Sequence, residues 1–169
     1  KSSSKALILD GSKKGDHMLG AARRIVEEEF KNMGADVTSF TLRDLQIAPC
    51  LGCFGCWIRT PGVCITNDTG RDVVRMMAQS DLLVFITPII FGGYSPELKR
   101  AVDRIISIVL PLFIKIKGEV HHKRRYIKYQ NLLAIGRATY KDDRSGDIFE
   151  KLVERNAINS QASSYASVV

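Results

Sequence analysis

Leu82-Leu83-Val84-Phe85-Ile86 is the stretch that most restricts what this chain can fold into. A strand with one wet face alternates apolar and polar residues; an unbroken apolar run belongs to a strand covered on both faces, as in a parallel sheet clad by helices. Ala6-Leu7-Ile8-Leu9 and Leu132-Leu133-Ala134-Ile135 have the same character, and Asp36-Val37-Thr38-Ser39-Phe40-Thr41-Leu42 alternates as a strand. Helical stretches separate them. From Met18 to Met33 a stripe of Met18, Ala22, Ile25, Val26, Phe30 and Met33 follows a helical period, and Gly34 stops it. Val73 to Ala78 reads as a second helix. Ser95-Pro96-Glu97 starts a third, with serine as the cap, proline in the first position and glutamate complementing the dipole. Leu98, Ala101, Val102, Ile105 and Ile108 continue its apolar face. Ile148, Phe149, Leu152 and Val153 mark a last helix, and Tyr165 to Val169 a fifth strand.

Strand and helix alternate, so the fold is expected to be α/β, with a parallel sheet and right-handed crossovers in a single domain over residues 1–169. Two segments stand outside the alternation: a cysteine-rich loop at about 47–66 and an insertion at about 110–130. The second is expected to be one long irregular segment, and such segments are usually functional or interface-forming.

The longest apolar run, Ile105 to Ile114, is broken by Pro111 and falls short of the ~18 residues of a membrane span. The opening Lys1-Ser2-Ser3-Ser4 is polar, with no secretory apolar region, and a cytoplasmic location is the expectation. The formal charge is +7, and Lys115, Lys117, Lys123, Arg124, Arg125 and Lys128 cluster. No nucleic-acid-binding motif accompanies that cluster, so nucleic acid is not an expected partner and a solvated loop accounts for it equally well.

In open parallel sheets ligands sit beyond the carboxyl ends of the strands, where the strand order reverses. The loops after the strands are therefore where chemistry is sought. After the first strand comes Asp10-Gly11-Ser12-Lys13-Lys14-Gly15-Asp16-His17-Met18, a turn with a hydroxyl, cations and a following helix N-terminus, all suited to a phosphate. It has neither the dinucleotide nor the nucleotide-hydrolase glycine pattern. After the third strand comes Thr87-Pro88-Ile89-Ile90-Phe91-Gly92-Gly93-Tyr94-Ser95, an apolar loop with two glycines that suits a planar heteroaromatic ring. Gly136-Arg137-Ala138-Thr139 is a third small turn on that edge.

All four cysteines lie within fifteen residues: Cys50, Cys53, Cys56 and Cys64, spaced Cys-x2-Cys-x2-Cys-x7-Cys. A disulfide framework is not expected of such a chain in a reducing compartment. Four thiolates at this spacing suit the corners of a cuboidal iron–sulfur cluster. Zinc is a rival, although two separated cysteine pairs are its usual pattern. Cys53 to Arg59 also reads as Cys-x5-Arg, the string of a thiolate phosphatase. Packing without any ligand is the fourth reading. Of the remaining chemical residues, His121 and His122 are expected as a solvent-exposed pair, and Trp57 either stacks near a bound ring or packs in the core.

Gly11 to His17 resembles the Gly-Ser-Pro-Arg phosphate loop of NADPH-dependent FMN reductases, and Thr87 to Ser95 resembles their flavin loop. Cys50 to Cys64 resembles the compact cysteine motif of iron–sulfur flavoproteins in the same superfamily. The similarity runs through nearly the whole chain. Lys13 stands where the family prefers proline and Lys14 where it prefers arginine; Met18 replaces a threonine, Ile90 a tyrosine, and Arg137 enters a turn that is often all glycine.

The resemblance implies a flavodoxin-like three-layer sandwich with a five-stranded parallel sheet of order 2-1-3-4-5 and FMN at the switch between strands one and three. It places Ser12, Lys14, His17 and Met18 at the phosphate, and Pro88, Ile89, Ile90, Phe91, Gly92 and Gly93 along the ring. Gly136 and Arg137 would close the ring's other edge, and Cys50, Cys53, Cys56 and Cys64 would hold a 4Fe-4S cluster. The implied activity is oxidation of NAD(P)H through FMN, with electrons passed to a small-molecule or protein acceptor, and no side-chain acid or base is required. A homodimer or homotetramer is expected from the apolar Ile105–Ile114 run. A non-enzymatic electron-transfer flavoprotein is the alternative.

Overall fold

The structure, a computed structural model, describes residues 3–116, 118–138 and 143–169. Lys117 of the basic cluster and Thr139 of the third turn lie outside the described residues.

The central sheet holds β1 (Lys5–Asp10), β2 (Asp36–Thr41), β3 (Leu82–Ile89), β6 (Asn131–Ala138) and β7 (Tyr165–Val168), in the order β2-β1-β3-β6-β7 and parallel throughout. Two further strands, β4 (Val109–Ile116) and β5 (Glu119–Arg124), form a separate antiparallel pair. With those two set aside, the sheet has the expected order 2-1-3-4-5. The segment expected to be irregular is therefore a hairpin over much of its length. Gly118 supplies its turn at φ 88°, a conformation that costs other residues dearly.

Period-2 alternation divides each buried strand between two cores. Leu7, Leu9, Leu83, Phe85, Leu132 and Ala134 meet Val73, Met77, Leu98, Ala101, Phe149 and Val153 from α3 (Gly70–Gln79), α4 (Pro96–Asp103) and α5 (Asp143–Asn159). Ile8, Val84 and Ile86 meet Leu19, Val26 and Phe30 of α1 (His17–Asn32) on the opposite face. The expected α1 stripe is thus corrected: Met18, Ile25 and Met33 are exposed. The helix carries two apolar stripes about one residue apart, and the one containing Leu19, Val26 and Phe30 meets the sheet.

The helix ends follow local chemistry. Asp16 caps α1 by accepting from Leu19 N, and Ser95 caps α4 by accepting from Leu98 N. Gly34, at φ 82°, ends α1 in the left-handed conformation, and Ala35 N donates to Phe30 O beyond it. Among the described residues no helix is long and apolar enough to cross a membrane.

Candidate functional site

The chain leaves β1 toward β2 on one side and crosses to β3 on the other, so the carboxyl ends of β1 and β3 flank the point where strand order reverses. The turn after β1 is drawn tightly against α4. Gly11 N donates to Ile86 O at 2.8 Å, and a Cβ on Gly11 would lie only 2.5 Å from Ser95 Oγ. Asp10 is buried and its carboxylate accepts from Ser12 N at 2.8 Å, which closes the turn. What remains open at the rim is a depression of about 250 Å³ lined by Lys13, Lys14, Gly15, Asp16, Pro88, Ile90 and Arg137.

Three cations therefore face one carboxylate across this depression. Arg137 Nη2 donates to Asp16 Oδ2 at 2.7 Å, joining the end of β6 to the start of α1. The turn at Ile90–Gly93 forms the apolar lip. Ile90 N donates to Gly93 O at 3.0 Å and Gly93 N to Ile90 O at 2.9 Å, around Phe91 at φ 50° and Gly92 at φ 75°. Glycine suits that conformation; a phenylalanine there costs on the order of 1 kcal/mol. Phe91 is nonetheless fully exposed. A strained, exposed aromatic at a concave rim points to a surface that something flat covers.

Of the expected site residues, the structure brings Lys14, Pro88, Ile90 and Arg137 together. Ser12 and His17 line an adjoining depression of about 400 Å³ with Asp10, Arg23, Arg24 and Arg43, where Arg43 Nη1 donates to Ser12 O at 3.1 Å. Met18 is exposed on α1, and Ile89 is buried in the core. Gly136 is a packing position, since a Cβ there would lie 2.7 Å from Phe149 and 2.9 Å from Ile89. Gly92 is held against Ile148, 2.4 Å from where its Cβ would stand. Asp16 was not among the expected residues. Its capping role is readable in the sequence, but its pairing with Arg137 is 121 residues distant.

The cysteine loop leaves the end of β2 and so emerges at the same rim. Its four thiols are free: Cys56 is buried, Cys50 and Cys64 half-buried, Cys53 exposed. All four line one enclosed cavity of about 20 Å³, together with Arg104, Thr66, Ile106 and Ser107. Burial, and then the neighbouring Cys64, push the Cys56 thiol above its ordinary value. The donor set suits a soft, thiolate-bound group. Among the described residues no three cysteine, histidine or carboxylate side chains converge on a single metal position. A cuboidal cluster asks instead for thiolates spread around its corners. The cavity holds little more than one water, so such a cluster would need Cys50–Phe54 to move outward; most of that edge is exposed, and it carries positive φ at Gly52 and Phe54.

The phosphatase reading finds no support. Gly55–Ile58 forms one helical turn, α2, in which Trp57 N and Ile58 N donate to Phe54 O and Arg59 N to Gly55 O. Those amides are spent inside the turn, so they make no phosphate cradle, and Arg59 is exposed.

Two arginines and a tryptophan anchor the loop. Arg104, 1 % exposed, donates to both oxygens of Asp68 at 2.8 and 3.1 Å, to Ala48 O at 2.9 Å and to Thr66 O at 3.4 Å. Asp68 also accepts from Ala48 N and Gly70 N, so one ion pair ties both ends of the loop. Burial opposes ionisation of Asp68, but Arg104 and these amides outweigh it and hold the carboxyl below its usual range. Arg71 donates to the carbonyls of Cys64, Ile65 and Thr66. Trp57 Nε1 donates to Ile106 O at 2.9 Å and Val109 O at 3.1 Å, while its ring stacks on Phe54 and tilts against His122.

The histidines are not a solvent-exposed pair. His121 is 6 % exposed, and His122, half-buried between the Trp57 and Phe113 rings, has Nδ1 2.9 Å from Leu110 O. The hairpin folds both back onto the body. The basic cluster is likewise dispersed: Lys128 pairs with Asp81 at 2.9 Å, and the Arg124 guanidinium lies 3.7 Å from the Tyr129 ring centre.

Comparison with known proteins agrees with this architecture. An iron–sulfur flavoprotein of Methanocaldococcus jannaschii is 31% identical over 89 residues, covering 52% of this chain and 45% of that protein. Matched stretches span 38% to 51% of the four curated relatives' own lengths, about half or less. The NAD(P)H:quinone oxidoreductase of Methanothermobacter marburgensis superposes with a TM-score of 0.70 at 15% identity, over 99% of this chain and 86% of that one. An FMN-dependent NADH-azoreductase from Bacillus anthracis in complex with FMN superposes with a TM-score of 0.63 at 12% identity, over 98% and 85%. These two likenesses establish the flavodoxin-like fold. The sequence of residues 4–124 matches the family described as NADPH-dependent FMN reductase, and the chain belongs to that family.

Proposed function

We propose that the protein is an FMN-dependent NAD(P)H oxidoreductase whose flavin sits at the rim between β1 and β3. The observation that carries the reading is the meeting of Lys13, Lys14 and Arg137 with the apolar Pro88–Ile90 edge around one depression at the strand-order switch. FMN, when bound, supplies acceptance of hydride from NAD(P)H and release of electrons to an acceptor.

The chain's own residues do the placing. Lys13, Lys14 and Arg137 offset the charge of a phosphate, and the α1 N-terminus adds its dipole. Asp16 holds Arg137 at the rim, where its guanidinium would add to the charge offered to a phosphate. Pro88, Ile90 and the exposed Phe91 ring exclude water from one side of a planar ligand. The exposed Leu112, Phe113, Ile114 and Val120 of the hairpin suit burial by a second copy of the chain.

The four cysteines are read as ligands of an iron–sulfur cluster. Their number and their shared cavity support this, as does the similarity to an iron–sulfur flavoprotein of Methanocaldococcus jannaschii. The cluster would supply one-electron transfer at the same rim of the sheet.

Steady-state oxidation of NADH and NADPH, with added FMN and with a quinone or azo acceptor, tests the activity. Turnover with any of these acceptors supports it. A protein that binds FMN yet turns over with none would be an electron-transfer flavoprotein instead.

A further inference from the structure

Among the described residues three arginines, Arg104, Arg124 and Arg137, bury an Nε without a hydrogen-bond partner. The four terminal hydrogen bonds of Arg104 go to Asp68, Ala48 and Thr66 and leave its Nε without an acceptor. A buried N–H left unpaired is costly, and more so on a charged group. The same side chain lines the small cavity shared by Cys50, Cys53, Cys56 and Cys64. Asp68 pairs with its Nη1 and Nη2 and leaves the Nε uncompensated.

Taking the four cysteines as cluster ligands, on which this rests, we infer that Arg104 is a built-in counter-charge to the cluster, donating its Nε–H to a cluster or cysteine sulfur. A four-iron cluster with four thiolates is an anion that gains one further negative charge on reduction. A fixed cation beside the cluster stabilises the more negative state more strongly, so it raises the reduction potential. Arg104 is then a tuning residue as well as the clamp that closes the loop. Asp68 has the opposite effect: by compensating part of the guanidinium charge, it holds the potential down.

The test is anaerobic reconstitution with iron and sulfide, followed by iron and sulfide assays, EPR of the reduced cluster and a redox titration. The samples are the full chain and its Arg104→Gln, Arg104→Lys and Asp68→Asn variants. In Arg104→Gln the reduced form is disfavoured about tenfold or more, which is ~59 mV for a one-electron couple. Asp68→Asn shifts the potential upward, and Arg104→Lys, which keeps the charge but not the Nε–H, falls between Arg104→Gln and wild type. A clamp without an electrostatic role moves Arg104→Gln and Asp68→Asn alike, in cluster content but not in potential.

Opposite shifts support the inference. Unchanged potentials, shifts of one sign, or loss of loading in every variant with the helical circular dichroism retained, overturn it. If the wild-type chain takes up no cluster while still binding FMN, the cysteine reading itself fails and this inference falls with it.

Discussion

Gly11→Ala couples the stability of the fold to the site. The added Cβ would stand 2.5 Å from Ser95 Oγ, 2.8 Å from Leu98 Cβ and 3.3 Å from Leu98 N. Ser95 and Leu98 are both buried, so neither can swing into solvent. Ser95 is also doubly committed: its Oγ caps α4, and its N–H donates to Thr87 Oγ1 at 2.8 Å. Relief requires the β1–α1 turn and α4 to move apart. Overpacking of this kind costs ~1–3 kcal/mol, and weakening the serine cap adds ~1 kcal/mol. The sum, ~2–4 kcal/mol, is a large share of the ~5–15 kcal/mol that holds a domain folded. For a chain of this size it lowers the melting temperature by roughly 4–16 °C. Urea unfolding followed by far-ultraviolet circular dichroism reads the loss, and FMN affinity measured well below the transition falls with it, because Lys13 and Lys14 ride on the displaced turn. An alanine variant within ~0.5 kcal/mol of wild type would refute the steric argument.

Phe91→Ala leaves stability near that of wild type, since the ring touches little, but weakens FMN binding about five- to tenfold through lost ring contact; fluorescence titration measures it, and unchanged affinity removes Phe91 from the site. Asp16→Asn keeps the helix cap while removing the charge that competes for Arg137, so FMN binds several-fold tighter and riboflavin, lacking the phosphate, does not change. Asp68 has a folded pKa below its usual 3.8. Its stabilisation is therefore fully present above pH ~4 and is lost as pH falls through the lowered folded value. Asp68→Asn is less stable at neutral pH and has a flatter stability profile below pH ~4; an acid limb as steep as that of wild type contradicts the assignment.

The sheet was legible because its strands announce themselves: Leu82–Ile86 has no polar residue to place in water, and Ser95-Pro96-Glu97 carries three independent helix-start signals. The hairpin was not. Pro111 interrupts its first strand, and Leu112 and Phe113 on adjacent positions are both exposed, so no alternation marks an inner face. The α1 face was half legible, because the sequence offers two neighbouring stripes and only the sheet selects between them. The cysteine packet was visible as a unit, but Arg104, which closes it, was not: its partner Asp68 lies 36 residues away, and an arginine that follows a helix reads as surface. In the same way Lys14 and Pro88 were assigned to the rim by the resemblance of their loops, whereas the pairing of Asp16 with Arg137 exists only once β1 and β6 are in one sheet.

Titration of FMN and riboflavin with the purified chain, followed by flavin fluorescence, tests the rim site most directly. The account predicts saturable binding of one FMN per chain, tighter than riboflavin and weakened in Lys14→Ala and Phe91→Ala. No saturable binding of FMN, or equal affinity for riboflavin with no effect of either variant, would contradict it.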